Sequence, residues 1–334
     1  MTEILSLEDV GALAQKALEG AGASPIAAAA VARSTVKAEH DGIRSHGLMY
    51  VPIYAGHVKG DKVDGQATPV VSQPKPGSVR VDAACGFAHP AIDAGWNAFT
   101  DAARKTGVAV MSLHNSYNCG VLGHHAERLA EDGLLGLCFT HAPASIAPTG
   151  GHVPVVGTNP FSLAVPDGKG GALLVIDQSA SAIAKSEIML RSRTGEAIEE
   201  GWAFDENGDP TTDAVAALKG SMAPAGGYKG FGIGLTVEVL ASCLAGAVLS
   251  RDASPFSGDK GGPPKTGQCF IAFDPVAFSG AAFTAQTRAL AEAITSQEGA
   301  RLPGARRQEN RTRIAADGVT VDGDLLGRIR SFIG

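Results

Sequence analysis

Three observations in the sequence predict an α/β fold. Twice a segment of helical period runs into a short apolar stretch of strand type: 90–104 into Val108-Ala109-Val110-Met111, and 121–131 into 134–139. Further β-type runs at 161–165, 173–176 and 268–273 supply strands for a sheet. The composition, 44% hydrophobic against 19% charged over 334 residues, is that of a chain with a sizeable core rather than a disordered one.

Taken in order, Ser6-Leu7-Glu8-Asp9 has the form of a capping box and opens a helix that Gly20 can end. Ser24-Pro25 starts a second, alanine-rich helix to about residue 39, and Gly42 breaks it just before Arg44-Ser45-His46-Gly47. Residues 60–86 are rich in Pro, Gly and polar side chains with short β-branched runs, which reads as irregular strands and turns and as a first boundary. After the two helix-to-strand units come the strand runs 161–165 and 173–176 and an amphipathic segment over 183–193. A helix over 231–247, the strand 268–273 and a last helix over 281–295 complete the series. No internal repeat, heptad or low-complexity tract is present.

Several function classes are excluded or disfavoured. A net charge of −6 and 5% aromatics leave neither a basic footprint for phosphate backbones nor stacking platforms, so no nucleic-acid partner is expected. The five cysteines, Cys85, Cys119, Cys138, Cys243 and Cys269, are odd in number and form no C-x-x-C, which points to a reducing, cytoplasmic setting. The start, Met1-Thr2-Glu3 with Glu8-Asp9 close behind, lacks the pattern of a signal peptide. The apolar stretch 231–249 carries Glu238 in its middle, so it reads as a helix buried in protein and no membrane partner is expected.

The common site motifs are absent. Gly230-Phe231-Gly232-Ile233-Gly234 has the wrong spacing for a G-x-G-x-x-G turn, and Gly226-Gly227-Tyr228-Lys229-Gly230 lacks the spacing and hydroxyl of a P-loop. No G-x-S-x-G is present. Among nine histidines, His124 and His125 are adjacent and so diverge on a helix, and no pair has metal-ligand spacing; no metal is expected.

What remains is Asp41-Gly42-Ile43-Arg44-Ser45-His46-Gly47-Leu48, a hydroxyl beside an imidazole on a glycine-flanked turn. By itself it admits two readings, an acid–base site or a helix terminus capped by His46 with Ser45 bonded to backbone. Three later segments weigh on the choice: Gly157-Thr158-Asn159-Pro160-Phe161, Pro224-Ala225-Gly226-Gly227-Tyr228-Lys229-Gly230-Phe231-Gly232, and Arg301-Leu302-Pro303-Gly304-Ala305-Arg306-Arg307. Together with Ser45-His46-Gly47, in this order and spacing, the chain resembles the malate/L-lactate dehydrogenase type 2 family over nearly its whole length.

The resemblance implies a non-Rossmann NAD(P)-binding α/β fold with a mixed sheet and a helical domain built from both termini. The implied division is 1–57 with 280–334 as the helical domain, 58–115 as a small α/β segment and 116–279 as the cofactor-binding domain. A homodimer is implied as well. His46 matches the group that exchanges a proton with the substrate, a role that suits an imidazole. In imine-reducing members a hydroxyl and an acid complete a relay; here these are Ser45 and Glu187, where relatives usually carry Asp.

Two departures bear on the substrate. In Asn115-Ser116-Tyr117-Asn118-Cys119-Gly120, Asn118 stands where hydroxy-acid dehydrogenases of the family carry a histidine base. A carboxamide cannot accept a proton at neutral pH. That favours the branch reducing the cyclic imino acids Δ1-pyrroline-2-carboxylate and Δ1-piperideine-2-carboxylate over a dehydrogenase for malate, L-lactate, sulfolactate or ureidoglycolate. A non-catalytic binding protein on the same fold is the reading from another class. Tyr50 stands where many relatives have Arg or another polar residue available to the substrate carboxylate; Thr140, Lys185 and Ser186 match substrate-contacting positions, and Arg44 is a candidate for two-point grip or for a surface ion pair.

For the cofactor, the resemblance points to Asn118, Cys119, Gly120, Val121 and Leu122, a loop opening a helix whose free N–H groups can receive a pyrophosphate. It points also to Asp177, Gln178, Ser179, Lys229, Arg301 and Gly304. Arg306 and Arg307 could neutralise a 2′-phosphate, favouring NADPH over NADH, or could simply solvate the segment. His124, His125 and His141 carry no assigned role.

Overall fold

The computed structural model describes residues 2–258 and 261–333. The chain opens with β1 (Thr2–Leu5), α1 (Leu7–Ala21) and α2 (Pro25–His40), then two 3-10 turns, Arg44–His46 and Leu48–Tyr50, and α3 (Val51–Lys59). The strands β2 (Val70–Lys75) and β3 (Ser78–Asp82) precede the units α4 (Ala88–Thr106) to β4 (Val108–Ser116) and α5 (Leu122–Glu131) to β5 (Leu135–Thr140). Next come β6 (Phe161–Pro166), β7 (Ala172–Gln178), α6 (Lys185–Thr194), β8 (Ala203–Phe204), α7 (Ala214–Lys219) and β9 (Ser221–Met222). The last elements are α8 (Tyr228–Glu238), a turn of π-helix (Val239–Leu244), β10 (Thr266–Phe273), α9 (Pro275–Phe278), α10 (Ala281–Thr295), α11 (Ala305–Asp317), β11 (Val319–Asp322) and α12 (Gly323–Arg330).

Seven strands form one sheet in the order β2-β3-β4-β10-β5-β6-β7. Only β3 and β4 run parallel, so the sheet is mixed, as expected, and lacks the parallel halves of a dinucleotide-binding Rossmann sheet. Side chains alternate between its faces. Cys138 and Phe270 look toward α4 and α5 with Trp96, Phe99 and Leu129, while Phe139 and Cys269 look toward Val237 and Ala241 of the α8 segment. The sheet is thus the middle of three layers.

Both ends of the chain meet in a separate cluster. β1 pairs antiparallel with β11, and Val10 and Ala14 of α1 pack with Ile314 of α11 and Leu326 and Ile329 of α12. α10 rests instead on the β6–β7 turn, where Arg288 Nη2 donates to the Asp167 carbonyl at 2.9 Å.

Three expectations need correction. α1 keeps its Ser6–Asp9 capping box but ends at Gly22, which takes φ +110°. Gly20 lies inside the helix, where a Cβ would collide with the Phe332 carbonyl, so it is a close-approach residue. Second, 281–295 is not the last helix: α11 and α12 follow, and α11 buries only Ile314, so its sequence shows no apolar period to read. Third, the 231–247 segment is buried on one face only. Gly230, Gly234 and Val237 face inward, while Leu235, Val239 and Leu244 are 46%, 50% and 62% exposed. Glu238 is buried, with Oε1 accepting from Ser250 N at 2.7 Å and Oε2 from Asn159 Nδ2 at 2.8 Å. Among the described residues no helix is long and apolar enough to cross a membrane.

Candidate active site

The Ser45-His46 turn is clamped at both ends. Gly42 takes φ +75° over the side chain of Asn310, which donates to the Asp41 carbonyl at 2.9 Å. Beyond the turn, buried Glu39 accepts from Leu48 N–H at 2.7 Å, and Gly47 has no Cβ because the Glu39 carboxyl occupies that space. Ser45 Oγ lies 3.1 Å from His46 Nδ1, which leaves Nε2 for a substrate. The His46 and Tyr50 rings are parallel to within 5° with centroids 6.2 Å apart. Burial lowers the His46 pKa, the Asp177 charge opposes that, and His124 adds to it. The balance favours the neutral imidazole in the free protein.

Asn118 is held by its neighbours. Its Oδ1 accepts from Tyr54 Oη at 3.1 Å and from Gly120 N–H at 2.7 Å, and its side chain also hydrogen-bonds Tyr50. Burial pushes the Tyr50 phenol up to about 12. The buried Cys119 thiol, also raised to about 12, hydrogen-bonds Thr140, which accepts from Gln268 Nε2 at 3.2 Å. The structure thus brings Tyr50, Asn118, Cys119 and Thr140 around one side of the turn.

The start of α5 is partly filled from within the chain. Asp177, at the end of β7, accepts from Gly123 N–H at 3.0 Å and from Arg307 Nη2 at 2.8 Å. The expected open row of amides is therefore already closed at Gly123. Arg307 Nη1 is buried with no hydrogen-bond partner among the described residues. Gly304, at φ +92°, packs on Val175, whose N–H donates to the Pro303 carbonyl at 3.1 Å, so the 303–307 segment lies along β7. Val121, at φ −79°, is the extended residue before α5, and Leu122 begins the helix.

Other expected residues are not joined to this group. Glu187 sits in the first turn of α6 and pairs with Arg191 Nε at 3.0 Å, one helical turn on. Among the described residues no hydrogen bond or ion pair connects it to His46, so the Ser45–His46–Glu187 relay is not assembled. The carboxylate whose field reaches His46 is that of Asp177. Lys185 and Ser186 are exposed beside Glu187, and neighbouring protein mass lowers the Lys185 pKa by desolvation. Ser179 bonds Ser181 Oγ at 2.9 Å, and the adjacent Ala180 carbonyl accepts from Ala225 N–H, which sets it near the loop preceding Lys229. Gln178, Lys229, Arg301 and Arg306 are exposed, as is Arg44, whose charge stabilises ionised Glu39.

Sequence reasoning missed the ion-pair network under the turn. Asp41 accepts from His124 Nε2 at 2.9 Å and from Arg311 Nε at 2.5 Å; Arg311 Nη1 reaches Glu127 at 2.8 Å, and Lys37 Nζ pairs with the same carboxylate at 3.0 Å. These hydrogen bonds and charges hold the Asp41 and Glu127 carboxyls below their usual range, against burial. Asp41 lies in the motif itself, but nothing in the polar stretch 305–317 marks Arg311. Asn159 is likewise structural: at φ +35° it accepts from Ala142 N–H at 3.1 Å and donates to the Gly234 carbonyl at 2.9 Å.

An imidazole under the field of a carboxylate, with a loop and a helix start beside it and a part-buried arginine on the same carboxylate, is an arrangement suited to acid–base chemistry on an α/β sheet other than the Rossmann one. No group of three His, Cys, Asp or Glu among the described residues is placed to hold a metal ion. The chain belongs to the malate/L-lactate dehydrogenase family, whose model matches residues 5–330, and it is an oxidoreductase. It is 42% identical over 310 residues to the (2R)-3-sulfolactate dehydrogenase (NADP(+)) of Chromohalobacter salexigens, covering 92% of this chain and 91% of that one. It is 38% identical to the Delta(1)-pyrroline-2-carboxylate reductase of Ancylobacter novellus, covering 98% and 97%. The crystal structure of delta1-piperideine-2-carboxylate reductase from Pseudomonas syringae pvar. tomato superposes with a TM-score of 0.93 at 32% identity, covering 99% of both chains.

Proposed function

We propose that the chain is an NADPH-dependent reductase of a cyclic 2-imino acid, Δ1-pyrroline-2-carboxylate or Δ1-piperideine-2-carboxylate, giving L-proline or L-pipecolate. The observation that carries this reading is Asn118. Its carboxamide oxygen is committed to Tyr54 and Gly120, so no second base stands beside His46 at that position. In the hydroxy-acid dehydrogenases that the chain resembles, the base for the hydroxyl proton stands where this chain has Asn118, and a carboxamide cannot take that proton; reduction of an imine needs only a donor that protonates its nitrogen. Relatives named pyrroline-2-carboxylate reductases at 36–38% identity, such as those of Ancylobacter novellus and Burkholderia ambifaria, support the same reading.

The residues present fit a dinucleotide: the partnerless, buried Nη1 of Arg307 asks for an acceptor, and Arg301, Arg306 and Lys229 add exposed positive charge. These residues, with the 118–122 loop and 177–179, would hold it, and Arg306 with Arg307 would take the 2′-phosphate. A reduced nicotinamide, when bound, supplies the hydride. The chain's own part is to hold a proton on the imine nitrogen through His46 Nε2, which makes the carbon more electrophilic. Ser45 fixes the ring through Nδ1, and Asp177 favours the imidazolium. Lys185, Ser186, Thr140, Tyr50 and Arg44 would orient the substrate carboxylate and ring; Glu187 would join His46 only by leaving Arg191. We further assign the protein to the cytoplasm and to a homodimer closed over the exposed apolar face of the α8 segment.

The test is the loss of NADPH absorbance with each cyclic imino acid, beside pyruvate, oxaloacetate and 3-sulfopyruvate. Turnover with the imino acids alone is the expected result. The second reading, a sulfolactate dehydrogenase, rests on the 42% relative; turnover with 3-sulfopyruvate alone would establish it in place of the first.

A further inference from the structure

We propose that Gln268 is a positioning residue for the reaction: its side-chain amide fills a lone pair of the Thr140 hydroxyl and so turns the hydroxyl hydrogen toward the substrate carboxylate. Gln268 lies on β10 directly opposite Thr140 of β5, so both side chains stand on the sheet face that carries Phe270 and Cys138. It is fully buried in a strand that continues Cys269-Phe270-Ile271-Ala272-Phe273, where an amide is costly unless it is bonded. A local irregularity brings it to the end of β4. The register slips by one residue between the pairs Thr266–Ser116 and Gln268–Leu113, with Asn115 of β4 at φ +47°. Gly267 permits the close approach: a Cβ there would meet the Ala241 carbonyl at 2.1 Å and the Leu113 carbonyl at 2.9 Å.

The orientation of the amide follows from its neighbours. The Tyr117 carbonyl, 3.2 Å away, can only accept, so the NH2 end of Gln268 must face it. The same nitrogen lies 3.2 Å from Thr140 Oγ1, which therefore receives the second N–H. Gln268 Oε1 is buried and makes no hydrogen bond among the described residues, so only the donor end of the amide is used.

A hydroxyl has one hydrogen and two lone pairs. With Gln268 donating to Thr140, the hydroxyl hydrogen must find an acceptor elsewhere. Cys119, which burial keeps as a thiol, bonds this hydroxyl, and a thiol sulfur is a weak acceptor that a carboxylate displaces readily. The Gly267 carbonyl is 3.4 Å away, beyond the usual O–H···O limit of about 3.0 Å, and already receives His141 N–H at 3.3 Å. The hydrogen thus has no strong acceptor among the described residues. Thr140 is part-exposed, and through Cys119 it adjoins Asn118, which bonds Tyr50 beside His46. The inference rests on the proposed contact between Thr140 and the substrate. It holds equally for an imino acid and for 3-sulfopyruvate, because both carry a carboxylate beside the reacting carbon.

The full-length protein carrying Gln268→Met, which keeps the length of the side chain and removes its donors, would be compared with Thr140→Val and with the double variant. Kinetics would use whichever of Δ1-pyrroline-2-carboxylate and 3-sulfopyruvate the wild type reduces. Calorimetry would use pyrrole-2-carboxylate, a flat ring bearing the same carboxylate, titrated into the NADP+ complex. Gln268→Met should raise KM and the pyrrole-2-carboxylate Kd about tenfold, with kcat within about twofold and NADP+ affinity unchanged. The double variant should be no worse than Thr140→Val, because Gln268 acts through that hydroxyl. Gln268→Glu, which offers Thr140 an acceptor, should weaken binding further, and it decides the matter if Gln268→Met does not fold. Losses that add in the double variant, a fall in kcat with KM unchanged, a parallel loss of NADP+ affinity, or no saturable binding of pyrrole-2-carboxylate to the wild type would overturn the inference. Reduction of 3-sulfopyruvate alone would overturn the imino-acid reading, and the same comparison of variants on that substrate would then decide the role of Gln268.

Discussion

His46 is set between opposing influences, burial that removes its charged form and an Asp177 charge that restores it. As a proton donor it must be protonated, so kcat/KM for imine reduction should rise as pH falls toward its lowered pKa. Asp177→Asn should move that limb further to acid, which a pH–rate profile will read. His46→Ala should cut turnover about 10²–10⁴-fold and leave NADPH affinity, followed by fluorescence titration, nearly intact. Arg306→Ala should weaken NADPH more than NADH; equal loss would place Arg306 away from the 2′-phosphate. The Ser45-His46 pair is legible in the sequence because Gly42 and Gly47 flag a tight turn. Glu187 is not, since a residue's partner is settled by competition, and Arg191 four residues on wins it at no cost in chain closure.

The elements are joined at the site by one ion network. Arg311 of α11 ties Asp41, the C-cap of α2, to Glu127 of α5. Arg311→Met leaves two buried carboxylates short of a partner and should cost about 3–5 kcal/mol in urea unfolding at pH 7. Because both carboxyls are held below their usual values, that stabilisation is present above the ordinary carboxylate range and fades as pH falls toward the folded values. The wild-type and variant unfolding curves should therefore converge in acid. Elements whose ends carry chemistry were legible: Ser6 and Ser24 cap α1 and α2 as their sequence announces. β4 runs on to Ser116, past the apolar 108–111, because its inner residues continue at Leu113 and Ser116 between polar outer ones. α11 was hidden, since it is held by Arg311 and Ile314 and not by an apolar stripe.

At the scale of the whole molecule, burial lowers the pKa of His46, His89, His124, His125 and His141. Unfolding returns them to about 6.5, so below that pH the unfolded chain binds more protons and stability falls with acidification. The slope between pH 6.5 and 4.5 should exceed the roughly 1.4 kcal/mol per pH unit of a single group, read from urea midpoints across that range. The apolar row Leu235, Val239 and Leu244 predicts a particle of twice the 33.9 kDa chain in light scattering, and Val239→Asp should return it to one chain. A wild-type protein at one chain's mass would refute the dimer. The pairing of β1 with β11 sets Leu5 against Val319. On a ribosome adding about 5–20 residues per second, the first strand and helix wait roughly 15–60 s for the segment that covers them. Until then Val10 and Ala14 stay open to solvent and to other nascent chains. The yield of active protein in cells should therefore depend on chaperones and growth temperature more steeply than the stability of the finished fold would indicate.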